Sequence, residues 1–251
     1  MKRDFFVIIP ARYAAKRLPG KALIKIGAYP LLQHVYLAAV KSAAVEVIIA
    51  TDDERIEAAA RGFGARVVMT SPSHRSGTDR IAEVVIRLQL PADSIVVNVQ
   101  GDELGLPPAL IDQVAANLME QEDAAMASLY APVKSAHELD NPNCVKVVAD
   151  RRGHALLFSR APIPWKASAA ADGKLGCRHI GIYAYTCDFL KTYTNLPVCE
   201  LEQKERLEQL RALYHGFPIH MERAVEETGL EINTPEDLEL AQSRYGKESA
   251  Y

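Results

Sequence analysis

Short apolar runs rich in β-branched residues alternate with longer amphipathic stretches in the first half of the chain. This alternation is typical of strand and helix units built around a mostly parallel sheet. It predicts strands at residues 5–9, 45–50, 65–70 and 94–99, and helices at residues 31–41, 53–63, 78–88 and 108–119. The first half is therefore predicted to be doubly wound α/β.

The pattern changes after residue 125 to closely spaced strand-like runs at residues 126–133, 145–149, 155–159 and 180–185. This spacing predicts an antiparallel portion joined to the parallel sheet. Helices are expected at residues 201–214 and, after the start signal Thr234-Pro235-Glu236-Asp237, at residues 238–245. Residues 166–176, rich in small residues, are predicted to form a mobile loop. We expect a single domain with a core of residues 1–125 and 215–251 and a smaller portion of residues 126–214.

Composition narrows the protein class. The 251 residues are 49% hydrophobic with a formal net charge of -3, which argues against disorder and against a broadly basic nucleic-acid binder. No apolar run reaches the roughly 20 residues of a membrane span. The apolar run at residues 5–9 is too short for a signal peptide, so a cytoplasmic protein is expected. The four cysteines lack metal or redox spacing and are predicted to be reduced structural thiols.

The loop after the first predicted strand carries four cations and no acid: Arg12, Lys16, Arg17 and Lys21. Open α/β sheets place ligands at the carboxyl ends of their strands, and like charges held together favour a polyanion among them. Residues 5–45 carry a formal +6 in a chain of net charge -3. We interpret the loop as a phosphate site; the alternative is a solvated basic loop.

The loop is neither a P-loop nor a dinucleotide fingerprint, because the glycine and hydroxyl positions of those motifs are missing. The fourth predicted strand ends in Gly101, Asp102 and Glu103. A carboxylate beside a phosphate loop is suited to hold Mg²⁺. The alternative, that Asp102 caps the next helix, is disfavoured by the distance to Pro107 and Pro108.

Together these segments resemble the cytidylyltransferases that activate 3-deoxy-D-manno-octulosonate (KDO), the CMP-KDO synthetase family. The matching segments are residues 8–13, 17–21, 50–52, 69–71, 76–80, 97–103, 141–143, 145–148, 158–160, 178–183, 207–211 and 234–238. The resemblance implies a three-layer Rossmann-like nucleotidyltransferase fold and transfer of CMP from CTP to the anomeric hydroxyl of KDO, for lipopolysaccharide synthesis. It also implies a homodimer with its contact in residues 126–214.

The resemblance further implies roles for individual residues. Lys21, Arg12 and Asp102 would be catalytic, and the charges of the triphosphate would be neutralised with Mg²⁺ as cofactor. The implied nucleotide contacts are Pro10, Ala11, Arg12, Arg17, Lys21, Ser76, Gly77 and Arg80. The segment from Ser76 to Arg80 also fits a plain capped helix start. The implied metal ligands are Asp102 and the position of Asn233.

The sugar end can also be interpreted from the residues. In a strand, His179, Gly181, Tyr183 and Tyr185 share one face, which suits a hydroxyl-rich ligand. The alternative is a structural histidine. Arg160 is a candidate for the sugar carboxylate, since guanidinium binds carboxylate bidentately.

Three further residues are assigned to the sugar by resemblance: Gln100, Glu208 and Gln209. The helical stripe of Leu207, Leu210 and Tyr214 leaves Glu208 and Gln209 off its centre, so the pattern alone predicts that they are solvated.

The chain departs from the family pattern at Asn233, where an Asp is usual, at Leu104 and Gly105, and after Trp165. An amide brings no charge, so metal binding is expected to be weaker or to depend on Asp102 and the triphosphate. Two other functions remain open: a cytidylyltransferase for a modified sugar acid, such as 8-amino-KDO or a sialic-acid-like sugar, and a nucleotide-binding homologue with impaired catalysis.

Overall fold

The computed structural model describes residues 4–14, 18–74, 76–165 and 175–246. Lys16, Arg17 and most of the predicted loop at residues 166–176 lie outside these ranges.

A sheet of nine strands organises the described chain, in the order β10-β9-β11-β6-β1-β4-β5, with β8 paired to β11 and β12 paired to β8. Strands β6, β1, β4 and β5 are mutually parallel, whereas β11 is antiparallel to β6, β8 and β9. The strands are β1 (Phe5–Ala11), β2 (Lys25–Ile26), β3 (Tyr29–Pro30), β4 (Glu46–Thr51), β5 (Arg66–Met69), β6 (Ile95–Asn98), β7 (Glu103–Leu104), β8 (Met126–Pro132), β9 (Lys146–Ala149), β10 (Ala155–Ser159), β11 (Cys177–Thr186), β12 (Ile219–Arg223) and β13 (Leu230–Glu231).

Helices cover both faces of the sheet and give three layers. On one face α1 and α4 pack through residues such as Leu32 and Ile111. On the other face α3, α6 and α8 pack through Val84, Leu190 and Leu210. The helices are α1 (Leu31–Ala39), α2 (Glu54–Gly62), α3 (Gly77–Arg87), α4 (Pro108–Glu120), α5 (Ala136–Asp140), α6 (Cys187–Tyr193), α7 (Glu200–Glu205), α8 (Gln209–Tyr214) and α9 (Pro235–Tyr245), with a short 3₁₀ helix at Lys21–Leu23.

The predicted fold class is confirmed. The eight predicted strands and five of the six predicted helices are present, with ends within three residues of the predicted ones. The capping box at Thr234 and Asp237 starts α9. The antiparallel strands after residue 125 continue the same sheet.

The prediction of one helix at residues 201–214 is wrong. The chain breaks at Arg206, whose φ of 55° is in the left-handed region, so α7 and α8 are separate helices. Tyr214 is 60% exposed and is not part of a buried stripe with Leu207 and Leu210. The break turns Gln209 inward, where it is buried.

Candidate active site

A pocket of about 620 Å³ opens at the carboxyl ends of β1 and β6 and extends along one face of β11. Ten of the predicted site residues line it: Pro10, Ala11, Arg12, Gly77, Arg80, Gln100, His179, Tyr183, Glu208 and Gln209. Predicted nucleotide and sugar residues thus share one cavity. The described residues that line it do not include five other predicted site residues: Lys21, Ser76, Asp102, Arg160 and Asn233.

The base of the basic loop is closed by a hydrogen bond from Gly20 N to Tyr13 O, 2.8 Å long. Gly20 has a φ of 70°, and a Cβ there would approach the Tyr13 ring to 3.0 Å. The Arg55 guanidinium stacks 3.4 Å from the centroid of the same ring. This closure brings the chain back toward the segment that follows β6, where Lys21 starts a short 3₁₀ helix and contacts Asp102.

Lys21 joins two segments that are far apart in sequence. Its Nζ donates to Asp102 Oδ2, to Ile232 O at 3.1 Å and to Asn233 Oδ1 at 3.1 Å. Carboxylate, carbonyl and amide oxygens are the ligand types that bind hard cations. Asp102 and Asn233 therefore converge on one cation, and the residues fit a site for Mg²⁺.

Asp102 does not cap α4, because Pro107 occupies the N-cap position of that helix. Close packing of the ends of β6 and β1 explains the glycine at position 101, because a Cβ there would lie 3.1 Å from Pro10 O. Glu103, which follows Asp102, lies near the carboxylates of Asp102 and Glu231. Burial together with Glu231 and Asp102 raises the pKa of Glu103 to about 8, which marks a region where additional positive charge would be favourable.

The start of α3 lines the pocket beside the end of β1. Ser76 caps the helix by accepting a hydrogen bond from Asp79 N at 3.0 Å, as the capped-start interpretation predicts. Gly77 lies against Pro10, where a Cβ would be 3.3 Å from the proline ring. Arg80 is buried and its guanidinium pairs with Asp52 at 2.9 Å and contacts Thr70. Arg80 thus lines the pocket while Asp52 and Thr70 hold its guanidinium in place.

The predicted two faces of β11 are confirmed. Ile180, Ile182 and Ala184 enter one core layer, whereas His179, Gly181, Tyr183 and Tyr185 line the pocket. The His179 ring lies 5.3 Å from the ring of Tyr183.

His179 also has a structural partner, as the alternative interpretation predicts. Its Nε2 lies 2.9 Å from Ser128 Oγ. Since that hydroxyl donates to Ile182 O at 2.7 Å, it accepts from the imidazole. Burial lowers the pKa of His179 to about 3, so the imidazole is neutral at physiological pH.

This lowered pKa predicts a pH dependence of stability. Between pH 6.5 and 3 the unfolded chain binds a proton at His179 that the folded chain does not, so the free energy of unfolding falls as the pH falls. We expect His179→Gln, which retains an N–H donor, to reduce this slope by up to about 1.4 kcal/mol per pH unit. Urea unfolding at pH 6.5, 5.5 and 4.5 measures it. The exposed His137→Gln is the control, and equal slopes in all three proteins would contradict the assignment.

The α7–α8 break presents Glu208 and Gln209 to the pocket. Gln209 is buried, contrary to the solvated position predicted from the helical pattern, whereas Glu208 is exposed, as that pattern predicts. Glu208 Oε2 accepts from Thr78 Oγ1 at 2.9 Å. Desolvation by the surrounding walls and the nearby Asp79 raise the pKa of Glu208. The Nε2 of Gln209 is buried without a hydrogen-bond partner among the described residues. Gln100, across the cavity, donates to Asn98 Oδ1 at 3.2 Å.

Arg160 is placed differently from its predicted role. Its Nε donates to Glu205 O at 2.7 Å and its Nη1 to Pro142 O at 2.8 Å, and it is not among the described residues that line the pocket. Arg178 lines the pocket instead, with its Nε 3.2 Å from Glu138 Oε1. Nothing in this arrangement supports a contact between Arg160 and a sugar carboxylate.

Sequence reasoning gave no role to several other residues of the pocket. They are Thr78, Asn98, Asn141, Asn143, Arg178, Tyr193 and Glu231. Asn141, Asn143 and Arg178 lie in segments that carry the family resemblance, which is the signal that could have found them. Asn98 sits at the end of β6, a position where open sheets place ligands.

A family model described as cytidylyltransferase matches residues 6–227. The chain belongs to the cytidylyltransferase family.

Curated relatives match this cytidylyltransferase over nearly its whole length. It is 52% identical over 251 residues to the 3-deoxy-manno-octulosonate cytidylyltransferase of Vibrio campbellii, which covers 98% of this chain and 99% of the relative. It is also 52% identical to the enzyme of that name from Vibrio cholerae, over 94% of this chain and 96% of the relative.

A solved structure of CMP:2-keto-3-deoxy-manno-octonic acid synthetase complexed with CTP superposes with a TM-score of 0.89 at 40% identity, covering 96% of this chain and 97% of that chain. A Leptospira borgpetersenii cytidylyltransferase, 16% identical with a TM-score of 0.64 and covering 99% of this chain and 89% of that chain, shares the fold. No helix of this cytidylyltransferase within the described ranges is long and apolar enough to cross a membrane.

Proposed function

We propose that this cytidylyltransferase transfers CMP from CTP to the anomeric hydroxyl of KDO and releases pyrophosphate. The observation that carries the proposal is a pocket in which Arg12 and Arg80 lie together with the polar face of β11. Lys21 contacts Asp102, two residues beyond the pocket residue Gln100. The names of the two Vibrio relatives and the CTP complex of the 40% identical structure support it.

In this reaction the anomeric oxygen forms a bond to the α-phosphorus of CTP while the bond to the β-phosphate oxygen breaks. The hydroxyl proton is lost to solvent, and pyrophosphate leaves. Phosphoryl-type transfer depends mainly on positioning and on charge neutralisation. Arg12 and Lys21 would neutralise the triphosphate, and Arg17 would join them. Pro10, Ala11, Ser76, Gly77 and Arg80 would surround the nucleotide.

Mg²⁺ is proposed as the cofactor, held by Asp102 and Asn233. When bound, it would neutralise phosphate charge and help to orient the triphosphate. Lys21 contacts both proposed ligands, so its ammonium would move toward the phosphates as the metal binds.

The sugar acid is proposed to lie between the face of β11 and the start of α8. The His179 imidazole and the Tyr183 phenol offer hydroxyl partners, as does Gln100 across the cavity. Gln209 has a buried amide nitrogen that a sugar oxygen would satisfy. Glu208 faces the same space.

Asn233 gives a test of the metal site. We expect Asn233→Asp to lower the Mg²⁺ concentration that half-saturates activity by roughly tenfold, because a carboxylate adds charge to the ligand set. Initial rates of pyrophosphate release across a Mg²⁺ titration measure this. Asn195→Asp, in an exposed turn, is the control. An unchanged Mg²⁺ requirement would remove Asn233 from the site.

A substrate panel tests the choice of sugar. KDO, 8-amino-KDO and sialic acid are each incubated with CTP and either Mg²⁺ or Mn²⁺, and pyrophosphate is measured. We expect the highest kcat/KM with KDO. A preference for one of the others would replace KDO as the substrate and leave the cytidylyltransferase assignment intact.

We also propose a cytoplasmic homodimer whose contact lies in residues 126–214. Leu156 on the edge strand β10 and Tyr214 at the end of α8 are large exposed apolar side chains, 62% and 60% exposed. Light scattering is expected to give twice the chain mass of 27.6 kDa. A species of 27.6 kDa would refute the dimer, and Leu156→Lys is expected to shift the protein toward that mass.

A further inference from the structure

Lys146, the first residue of β9, carries a fully buried ammonium. Its Nζ donates to three backbone carbonyls: Asn141 O at 2.9 Å, Cys144 O at 2.6 Å and Arg160 O at 2.7 Å. An ammonium has three N–H donors, so all of them are used. Within the described residues these bonds end on main-chain oxygens and none on a carboxylate.

This bonding is unusual for a side chain that occupies a strand between β10 and β11. Burial lowers the pKa of Lys146, and lysines are rarely buried without a charged partner. A medium-sized apolar residue would fill the same position of a strand without that cost. The presence of an ammonium at this position is therefore explained by the three carbonyls that it binds.

The three carbonyls belong to two segments. Asn141 and Cys144 bound the turn that leads from α5 into β9, whereas Arg160 follows the end of β10. Lys146 joins this turn to the end of β10 through one cation.

The turn is a wall of the pocket. Asn141, Asn143 and Cys144 line the cavity, and Val145 O accepts a hydrogen bond from His179 N at 2.7 Å. This wall therefore adjoins the polar face of β11 at the proposed sugar end.

We propose that Lys146 is a positioning residue for the sugar acid, because its ammonium fixes the turn of residues 141–144 at the sugar side of the pocket. The inference rests on the proposed function for the identity of the ligand. An apolar side chain at this position would remove the ammonium from all three carbonyls. Asn141 O would keep its bond from Cys144 N at 3.1 Å, whereas Cys144 O and Arg160 O would lose the donor that Lys146 supplies, which is costly for buried groups, and the turn would lose its fixed place beside β11.

Lys146→Met tests the proposal through a split between the two substrates. We expect the KM for KDO to rise at least tenfold while the KM for CTP changes less than twofold. Leu118→Ala is the matched control. The substitution opens a cavity beneath α4, in the core layer that contains Leu32 and Ile111. It lowers stability without removing a side chain from the pocket. Equal shifts of both KM values, an unchanged KM for KDO, or the same split in Leu118→Ala would overturn the proposal.

Thiol labelling gives a readout that does not depend on the sugar. Cys144 lies in the turn itself; burial raises the pKa of its thiol and the Lys146 ammonium lowers it. Labelling rates are therefore compared at equal thiolate fraction, taken from the pH dependence of labelling in each protein. We expect iodoacetamide to label Cys144 at least fivefold faster in Lys146→Met, with buried Cys199 unchanged. Unchanged labelling of Cys144 would overturn the link between Lys146 and the turn, whichever sugar acid is the substrate. If faster labelling occurs without a change in the KM for the sugar, the positioning role is overturned.

If Lys146→Met fails to fold, Lys146→Gln takes its place. The amide retains two of the three donors, and we expect a KM for KDO above that of the parent, an unchanged KM for CTP and faster labelling of Cys144. Parent-like values of both quantities would count against the proposal.

Discussion

Lys21→Met is expected to lower kcat for pyrophosphate release by roughly 10²–10³-fold, the scale seen when one preorganised charged or hydrogen-bonding group at a reacting centre is removed. The side chain keeps its length and apolar stem but loses the ammonium that contacts Asp102, Ile232 O and Asn233. Among the hydrogen bonds and ion pairs of the described residues, no other cation contacts Asp102 or Asn233. Initial rates at saturating CTP and sugar acid measure the change.

Lys25→Met is the matched control for this substitution. Lys25 lies four residues away in β2 with an exposed side chain, so its loss changes the net charge equally but removes no group that contacts Asp102 or Asn233. We expect activity within twofold of the parent. A comparable loss of activity in both variants, or a loss below tenfold in Lys21→Met, would show that Lys21 has no special role.

Asp102→Asn is expected to lower kcat roughly hundredfold and to raise the Mg²⁺ concentration at half-saturation at least tenfold. The substitution preserves size, and the backbone carbonyl that accepts from Ile232 N at 3.0 Å is unaffected. The lost negative charge is the only charge that the proposed pair of ligands provides, since Asn233 is neutral. Rates across a Mg²⁺ titration separate the two effects.

Asp93→Asn, an exposed carboxylate in the turn before β6, controls for the change in net charge. Its Mg²⁺ dependence is expected to match that of the parent. If Asp102→Asn retains both the rate and the Mg²⁺ dependence of the parent, Asp102 does not bind the metal.

The layers of the fold could be predicted from the sequence because each element repeats a local pattern. Alternating burial on β11 is an example: Ile180 and Ile182 pack into one core layer, and His179 and Tyr183 face the pocket. A period of two specifies such a strand without knowledge of its neighbours.

The break between α7 and α8 could not be predicted in this way. Its position depends on Arg206 in a left-handed conformation, which the helical periodicity of its neighbours does not indicate. Gln209 consequently enters the pocket, although the helical pattern placed it in solvent. A non-glycine residue with positive φ is uncommon, so sequence reasoning favours the unbroken helix.

The candidate site was predictable where it follows strand ends and unpredictable where it depends on tertiary partners. Arg12 and Asp102 follow β1 and β6, and both were identified from that position. Arg160 also follows a strand, yet its guanidinium is bonded to two carbonyls from other segments. The contact between Lys21 and Asn233 spans 212 positions, and only the resemblance indicated that these segments meet.

We expect this chain to catalyse the transfer of CMP rather than only to bind its ligands. The direct measurement is pyrophosphate release from CTP by the unmodified protein, with KDO present, across a Mg²⁺ range wide enough to saturate a weakened metal site. We expect pyrophosphate formation that requires both KDO and Mg²⁺ and yields an equal amount of CMP-KDO. Tight CTP binding without pyrophosphate release at any Mg²⁺ concentration would contradict it.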